Sequence, residues 1–313
     1  EANQGRRMKR KGRVVDGVLL LDKPYAMTSN AALQTARRLL NAQKAGHTGT
    51  LDPLASGLLA LTFGEATKFS ADLLHADKTY IAGIKLGQKT TTGDLEGDFL
   101  QTRPVRVNRA DIEKTLNAFR GDILQVPPMF SALKRDGKTL YDLAREGVSI
   151  EREARSVRIE KLEILEFADE LLTVEVTCSK GTYIRVLAED IGEALGCGAH
   201  LASLRRTKVG ALSLEDAVTL QALETMSVDE RLATLKPLDA LMQTLPAVHL
   251  SENDRVRFCH GQRLALGLPS CPRVRVYGPD EQMVGTARVN ERGVLEPERL
   301  IANKKDIEAT NDD

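Results

Sequence analysis

Gly46-His47-Thr48-Gly49-Thr50-Leu51-Asp52-Pro53-Leu54-Ala55-Ser56-Gly57 is the stretch around which this chain is organised. It holds three glycines, one proline, one histidine and one carboxylate. Glycine reaches backbone angles closed to other residues, and proline fixes φ and removes a donor. The run therefore reads as a shaped loop, neither helix nor strand. Leu58-Leu59-Ala60-Leu61 follows at once and is ready for burial. Asp52 thus sits on a stiff loop at the edge of a core. Two readings stand at this level. Asp52 is a turn residue capping a neighbouring N–H, or a carboxylate held for chemistry as nucleophile, general base or electrostatic stabiliser.

Upstream of the loop, Val14 to Leu21 is a nearly continuous apolar run that predicts a buried strand, ended by Asp22-Lys23-Pro24. Thr28 or Ser29 caps a helix with Ala32, Leu33, Ala36, Leu39 and Leu40 on its apolar side. Downstream, Thr79 to Gly87 alternates and places Tyr80, Ala82, Ile84 and Leu86 on one inward face. Tyr80 is then either a core tyrosine or a working one, and in both cases its hydroxyl needs a partner. The polar segment 90–98 reads as a surface loop. Asn108 caps a helix carrying Ile112, Leu116 and Phe119, and Gly121 stops it. The prolines of Val126 to Lys134 keep that segment extended, and Thr139 to Arg145 forms a short helix.

Val157, Ile159, Leu162 and Ile164 mark a strand whose phase changes near Glu160. Leu172, Val174, Val176 and Cys178 alternate with Thr173, Glu175, Thr177 and Ser179, the clearest strand pattern in the chain. It runs into a Ser179-Lys180-Gly181-Thr182 turn. There Thr182 caps a helix that buries Ile184, Leu187, Ala188, Ile191 and Leu195. Arg185 falls in the first turn, where the helix dipole disfavours a cation. It is an ordinary surface arginine or one that projects into a cleft and keeps a carboxylate ionised. Residues 213–245 read as helical. From Pro246 the pattern turns to short β segments, enough for a separate small barrel.

The 313 residues suit one large domain and a small one. Lysine plus arginine equals aspartate plus glutamate at 44 each, so a polyanion partner has to be met by a local basic face. One candidate is the basic N-terminal arm, which is otherwise a solvated tail. Tryptophan is absent and aromatic residues are 4%, so base stacking rests on a few side chains. Four cysteines without CxxC spacing, and no apolar signal or spanning segment, predict a cytoplasmic chain with reduced thiols, off the membrane. No Cys/His pair has metal-ligand spacing, so no metal is expected. There is no phosphate loop, no dinucleotide fingerprint and no serine elbow. Asp52 also lacks a second acid at fixed local spacing, which argues against a glycosidase. Cofactor-free chemistry by one aspartate, with Tyr80 and Arg185 as candidates beside it, survives.

The chain resembles the bacterial tRNA pseudouridine(55) synthases over nearly its whole length. The resemblance is carried by Gly17 to Pro24, Gly46 to Gly57, Gly64 to Phe69, Asp77 to Tyr80, Pro127 to Lys134, Ser179 to Arg185, Gly198 to Leu201 and Leu204 to Arg206, in that order. It departs at Ala26, where the family usually has glycine, and at Thr91, where a Thr-Asp-Thr pattern is common.

The resemblance implies an α+β fold. A large mixed, mainly antiparallel sheet with flanking helices and a central catalytic cleft is joined to a small C-terminal β-barrel of PUA type. It divides the chain into a basic arm (1–13), a catalytic domain (14–245) with an RNA-gripping insertion at about 103–155, a PUA-like domain (246–302) and an acidic tail (303–313). The implied reaction converts a tRNA T-loop uridine to pseudouridine, without cofactor, obligatory protein partner or guide RNA, in a monomer. Asp52 would be the nucleophile, acting on the sugar, on the base or through a glycal. Arg185 would pair with it, and Tyr80 would stack on the uracil and relay a proton. Ile184 and Leu204 would border the base, with Tyr183 and Lys23 also in base or RNA contact. His47 would fill the space left by the flipped base, and Lys134, Arg135 and Lys138 would grip the RNA arm. A base methyltransferase would need a cysteine nucleophile and a cofactor loop, neither of which is found. An RNA-folding role is compatible with the enzyme.

Overall fold

The computed structural model describes residues 12–302. The acidic tail and all but the last two residues of the basic arm lie outside the described residues. A ten-stranded mixed sheet forms the body of the molecule. Across its main path run Val218–Thr219, Gly17–Lys23, Ala55–Phe63, Ala199–Val209, Lys78–Leu86, Leu171–Cys178, Arg155–Ala168 and Gly121–Gln125. Neighbours are antiparallel except at Gly17–Lys23 beside Val218–Thr219 and at Ala55–Phe63 beside Ala199–Val209.

Two helices show why the sheet is covered where it is. Thr28 caps Ser29–Leu39 by accepting from the Ala31 N–H, and Ala32, Leu33 and Ala36 are buried against Leu19, Leu21, Leu59 and Leu61. Ile184–Ala194 buries Ile184, Leu187, Ala188 and Ile191 against Leu172, Val174 and Val176. These are the i, i+3, i+4 and i, i+2 patterns of the sequence turned into packing. Tyr80 and Leu204 pack against both clusters and lie on the seam between them.

Several sequence expectations change in detail. The glycine stretch is not loop throughout. Ala45–Thr48 is a strand whose His47 lies opposite Leu61, so the loop proper is Gly49 to Leu54. The first strand begins at Gly17, because Asp16 stays outside to accept from the Glu65 N–H at 2.7 Å. Thr182 does not cap its helix; its hydroxyl bonds the Ser179 carbonyl at 2.8 Å and Tyr183 occupies the cap position. Residues 213–245 are broken into short pieces, with helices at Leu220–Thr225 and Val228–Ala233 restarted by the Thr219 and Ser227 caps. The phase change expected near Glu160 is a bulge between Ile159 and Lys161.

Beyond residue 246 a five-stranded sheet runs in the order Ala247–His249, Cys271–Tyr277, Met283–Val289, Val294–Leu300, Leu264–Ala265, open between its end strands as a half-barrel. It has its own core of Phe258, Leu264, Val274, Val276, Ala287 and Leu295. Polar contacts fix it to the body. Arg273 reaches Asp72 at 2.9 Å, and the Tyr277 hydroxyl donates to Asp239 at 2.7 Å.

Gly57 lies within a strand at φ +105°, and a Cβ there would sit 2.3 Å from the Arg206 carbonyl oxygen and 2.8 Å from its nitrogen. Those are backbone atoms and cannot swing aside. Gly147, at φ +76°, has open space where a methyl group would stand. Gly57→Ala is therefore expected to destabilise the protein by at least about 3 kcal/mol and Gly147→Ala by only about 1 kcal/mol. Urea unfolding of the two variants checks the ranking.

Candidate active site

Asp52 stands on the six-residue loop between two paired strands. The loop is braced from behind: the Ser29 hydroxyl donates to the Leu51 carbonyl and accepts from its N–H, both at 2.9 Å. The Ala26 N–H donates to the Pro53 carbonyl at 2.9 Å. Ala26 does this at φ +61°, a left-handed angle that glycine would adopt without a Cβ penalty. Lys23 is fully buried. Its ammonium donates to the Pro24 carbonyl at 2.8 Å and the Met27 carbonyl at 2.6 Å. Burial pushes its pKa down, and the charge of Asp52 pulls it back up. Lys23 thus holds the turn that Ala26 joins to the loop, with its ammonium directed inward.

Arg185, on the helix Ile184–Ala194, comes to Asp52 from the opposite wall. Its Nη2 lies 3.8 Å from Asp52 Oδ2, an ion pair but not a hydrogen bond. The same nitrogen donates to the Phe130 carbonyl at 2.6 Å, and Nη1 lies 3.5 Å from Asp94 Oδ2. The Arg185 side chain is 12% exposed and that of Asp94 13%, whereas Asp52 is 65% exposed and open to an incoming ligand.

Asp94 belongs to the segment that the sequence pattern places on a surface loop. Its Oδ1 accepts from the Thr92 hydroxyl at 2.6 Å and from the Glu96 N–H at 2.9 Å, which leaves Oδ2 for Arg185. Thr91 fastens the far end of the loop, with Oγ1 accepting from the Asp98 N–H at 3.1 Å. The signal was a Thr-Gly-Asp turn just after a strand, and local Asx-type bonding is common enough to hide it.

A cleft of about 590 Å³ joins these groups. Asp52, Tyr80, Asp94, Tyr183, Ile184, Arg185 and Leu204 all line it, with Phe130 and Ser131 closing one side. The structure therefore brings together the predicted Asp52, Tyr80, Arg185, Tyr183, Ile184 and Leu204. It does not bring in Lys134, Arg135 and Lys138, which stand on an exposed hairpin, Lys134–Arg135 with Lys138–Thr139. His47 is also outside the cleft lining, on its strand, with Nδ1 buried and unpartnered.

Residues 37–184 match the family described as "TruB family pseudouridylate synthase (N terminal domain)". Residues 185–245 match "tRNA pseudouridylate synthase B C-terminal domain", and residues 246–301 match "Pseudouridine synthase II TruB, C-terminal". The chain belongs to the TruB family of pseudouridine synthases. Among curated relatives, the "tRNA pseudouridine synthase B" of Burkholderia mallei (strain NCTC 10247) is 60% identical over 92% of this chain and 98% of its own length. That of Ralstonia nicotianae (strain ATCC BAA-1114 / GMI1000) is 56% identical over 96% and 99%. Among solved structures, a chain of a Cbf5-Nop10-Gar1 complex superposes with a TM-score of 0.73 at 26% identity, covering 93% of this chain and 87% of that one. As a TruB-family pseudouridine synthase the chain is an isomerase.

Asp94→Asn removes the charge that anchors Arg185 but keeps the shape. Single-turnover pseudouridine formation should then fall by about 10²-fold with RNA affinity unchanged within about twofold. Rate and filter-binding measurements on the same RNA check both halves. For His47, burial and then the Arg206 charge hold the imidazole below its usual pKa. Protonation then favours the unfolded chain, and stability present above the unfolded value of about 6.5 is lost as pH falls through it. Wild-type protein should lose more stability between about pH 7 and pH 5 than His47→Gln does, as measured by urea unfolding at each pH.

Proposed function

We propose that this chain converts a uridine in the T-loop of tRNA, position 55, to pseudouridine, with Asp52 as nucleophile. The observation that carries the proposal is the convergence of Asp52, Arg185 and Tyr80 on one cleft in a TruB-family chain. The relatives 60% and 56% identical to it are named for action on tRNA.

The reaction breaks N1–C1′, turns the uracil over and bonds C5 to C1′. The base must be flipped out of a folded RNA loop, which costs a few kcal/mol, and the detached uracil must be kept from solvent. A cleft of about 590 Å³ holds a flipped nucleoside. Tyr80 gives a stacking face, and Ile184 and Leu204 give apolar walls. Asp52 is exposed before RNA arrives, and the RNA itself supplies the missing wall. Arg185 keeps the carboxylate charged once water is excluded.

In this reading Lys134, Arg135 and Lys138, held out on their hairpin, meet phosphates of the RNA arm, and His47 fills the space left in the RNA loop. The C-terminal sheet adds RNA contact away from the cleft. The enzyme works alone, without guide RNA. Its sequence stands much nearer the relatives named tRNA pseudouridine synthase B than the chain in the Cbf5-Nop10-Gar1 complex.

Purified protein should introduce pseudouridine at one T-loop position in unmodified tRNA, mapped by reverse transcription after chemical adduct formation. Asp52→Asn should bind the same tRNA within about threefold of wild type and form no product, a loss of at least about 10⁴-fold. Product at another position overturns the site assignment, and turnover by Asp52→Asn overturns the nucleophile.

A further inference from the structure

Arg206 is 2% exposed and lies at the centre of the large sheet. In register it stands directly opposite Tyr80 on one side and opposite Gly57 on the other. Directly opposed residues share a face, with Cβ atoms about 5 Å apart. Its Nε donates to the Leu58 carbonyl at 2.8 Å and its Nη2 donates to the Gly49 carbonyl at 2.7 Å, from a position opposite Tyr80. One side chain thus holds the first residue of the Asp52 loop and stands opposite the tyrosine of the cleft.

The surroundings are unusual for a buried cation. Among the described residues no carboxylate pairs with Arg206, and Tyr80 is the group that favours its charge. Lys23, His47 and Lys78 all feel Arg206 as a repelling neighbour. Burying an arginine without a counter-ion is costly, because its charge leaves water with no opposite charge to meet it. Two carbonyls alone could be met by a neutral donor, so the charge is of use to a group that becomes negative in turn, and the Tyr80 hydroxyl is on the residue opposite.

We propose that Arg206 is a positioning residue for Tyr80. It fixes the phenol oxygen by donating to it, so that the hydroxyl proton points into the cleft, and it is the counter-ion when Tyr80 passes through its phenolate. The inference rests on the reading of Tyr80 as a group that faces the flipped uracil. During isomerisation N1 gains a proton and C5 loses one as it bonds to C1′. One tyrosine can serve both steps. Its O–H proton goes to N1, leaving a phenolate, and the phenolate then takes the C5 proton and is a phenol again. No proton is exchanged with solvent and nothing is oxidised. Burial, Cys178 from the neighbouring strand and Asp52 from the loop all push the phenol pKa up, and Arg206 alone pulls it down.

Single-turnover rates are measured for wild type, Tyr80→Phe, Arg206→Gln and the double variant, with RNA affinity measured in parallel. Arg206→Gln should slow wild type by about 10²-fold but slow Tyr80→Phe by less than about threefold, with affinity unchanged within about twofold. Equal losses in both backgrounds mean that Arg206 serves only the loop, and overturn the inference. A Tyr80→Phe variant as fast as wild type overturns instead the reading of Tyr80 on which it rests.

A second readout follows the phenol itself. The chain has five tyrosines and no tryptophan. With 3-fluorotyrosine incorporated, the ¹⁹F signal lost in Tyr80→Phe identifies Tyr80. Its titration should move to higher pH in Arg206→Gln, because a charge that favours the phenolate has gone. If that variant does not fold, Arg206→Lys, whose shorter reach withdraws the charge from the phenol, should move the signal in the same direction. An unmoved midpoint overturns the inference.

Discussion

The site depends on one short stretch of parallel pairing. Ala55 to Gly57 runs beside Leu204 to Arg206, with Leu204 opposite Ala55, Arg205 opposite Ser56 and Arg206 opposite Gly57. Parallel neighbours cannot be joined by a tight turn, so the chain between them is long, and here it holds nearly half of the sequence. The pairing lets the strand that follows the Asp52 loop lie against the strand that carries Leu204. It succeeds only because Gly57 has no Cβ to meet the Arg206 backbone. Arg205 secures the same junction from the other face through two bonds to Asp22, at 2.7 and 3.0 Å. A loop of six residues is thereby anchored at both ends in one rigid sheet, which is how a carboxylate with an exposed side chain still has a fixed address.

Two hydrophobic clusters meet at this junction, and the cleft is their seam. Tyr80 and Leu204 each pack against both. A seam is where side chains are held on three sides and free on the fourth. That arrangement stiffens rotamers while leaving one face for a ligand. The helix Ile184–Ala194 adds Arg185 from its first turn, where the dipole works against a cation. Asp94 and the Phe130 carbonyl offset that cost, and both come from segments with no regular structure of their own.

What the sequence revealed follows from this division. Strands with strict alternation, such as Leu171–Cys178, and helices with clear caps, such as Arg109–Leu116 with its Asn108–Asp111 box, were legible because their signal is local. The bulge after Ile159 was legible as a slip of phase. Asp52, Tyr80 and Arg185 were legible as candidates from loop and strand chemistry, and the resemblance joined them. Asp94 was not, because its role appears only when a loop some ninety residues upstream folds back onto Arg185. The inward turn of Lys23 was not legible, because nothing local says that its ammonium will find the Pro24 and Met27 carbonyls inside. Arg206 was quoted only as part of a motif, since its neighbours Tyr80 and Gly57 are far away in sequence and adjacent only across the sheet.

The geometry of Arg185 bears on how a charged pair can serve catalysis. In the free protein its Nη2 donates to Phe130 at 2.6 Å and stands 3.8 Å from Asp52. A tight bidentate pair would hold Asp52 in its ground state, and breaking it would add to the barrier. Here the protein, not Asp52, fixes the guanidinium: Phe130 takes one nitrogen, and Asp94, itself fixed by Thr92 and the Glu96 N–H, faces the other. Asp52 keeps its freedom and still lies within the field of a fixed positive charge. That field strengthens under any ligand that covers the cleft and lowers the local dielectric, without any side chain having to move. Phe130 belongs to the same extended segment that leads into the exposed hairpin with Lys134 and Arg135. The exposed hairpin and the arginine that faces Asp52 are therefore linked through one backbone carbonyl.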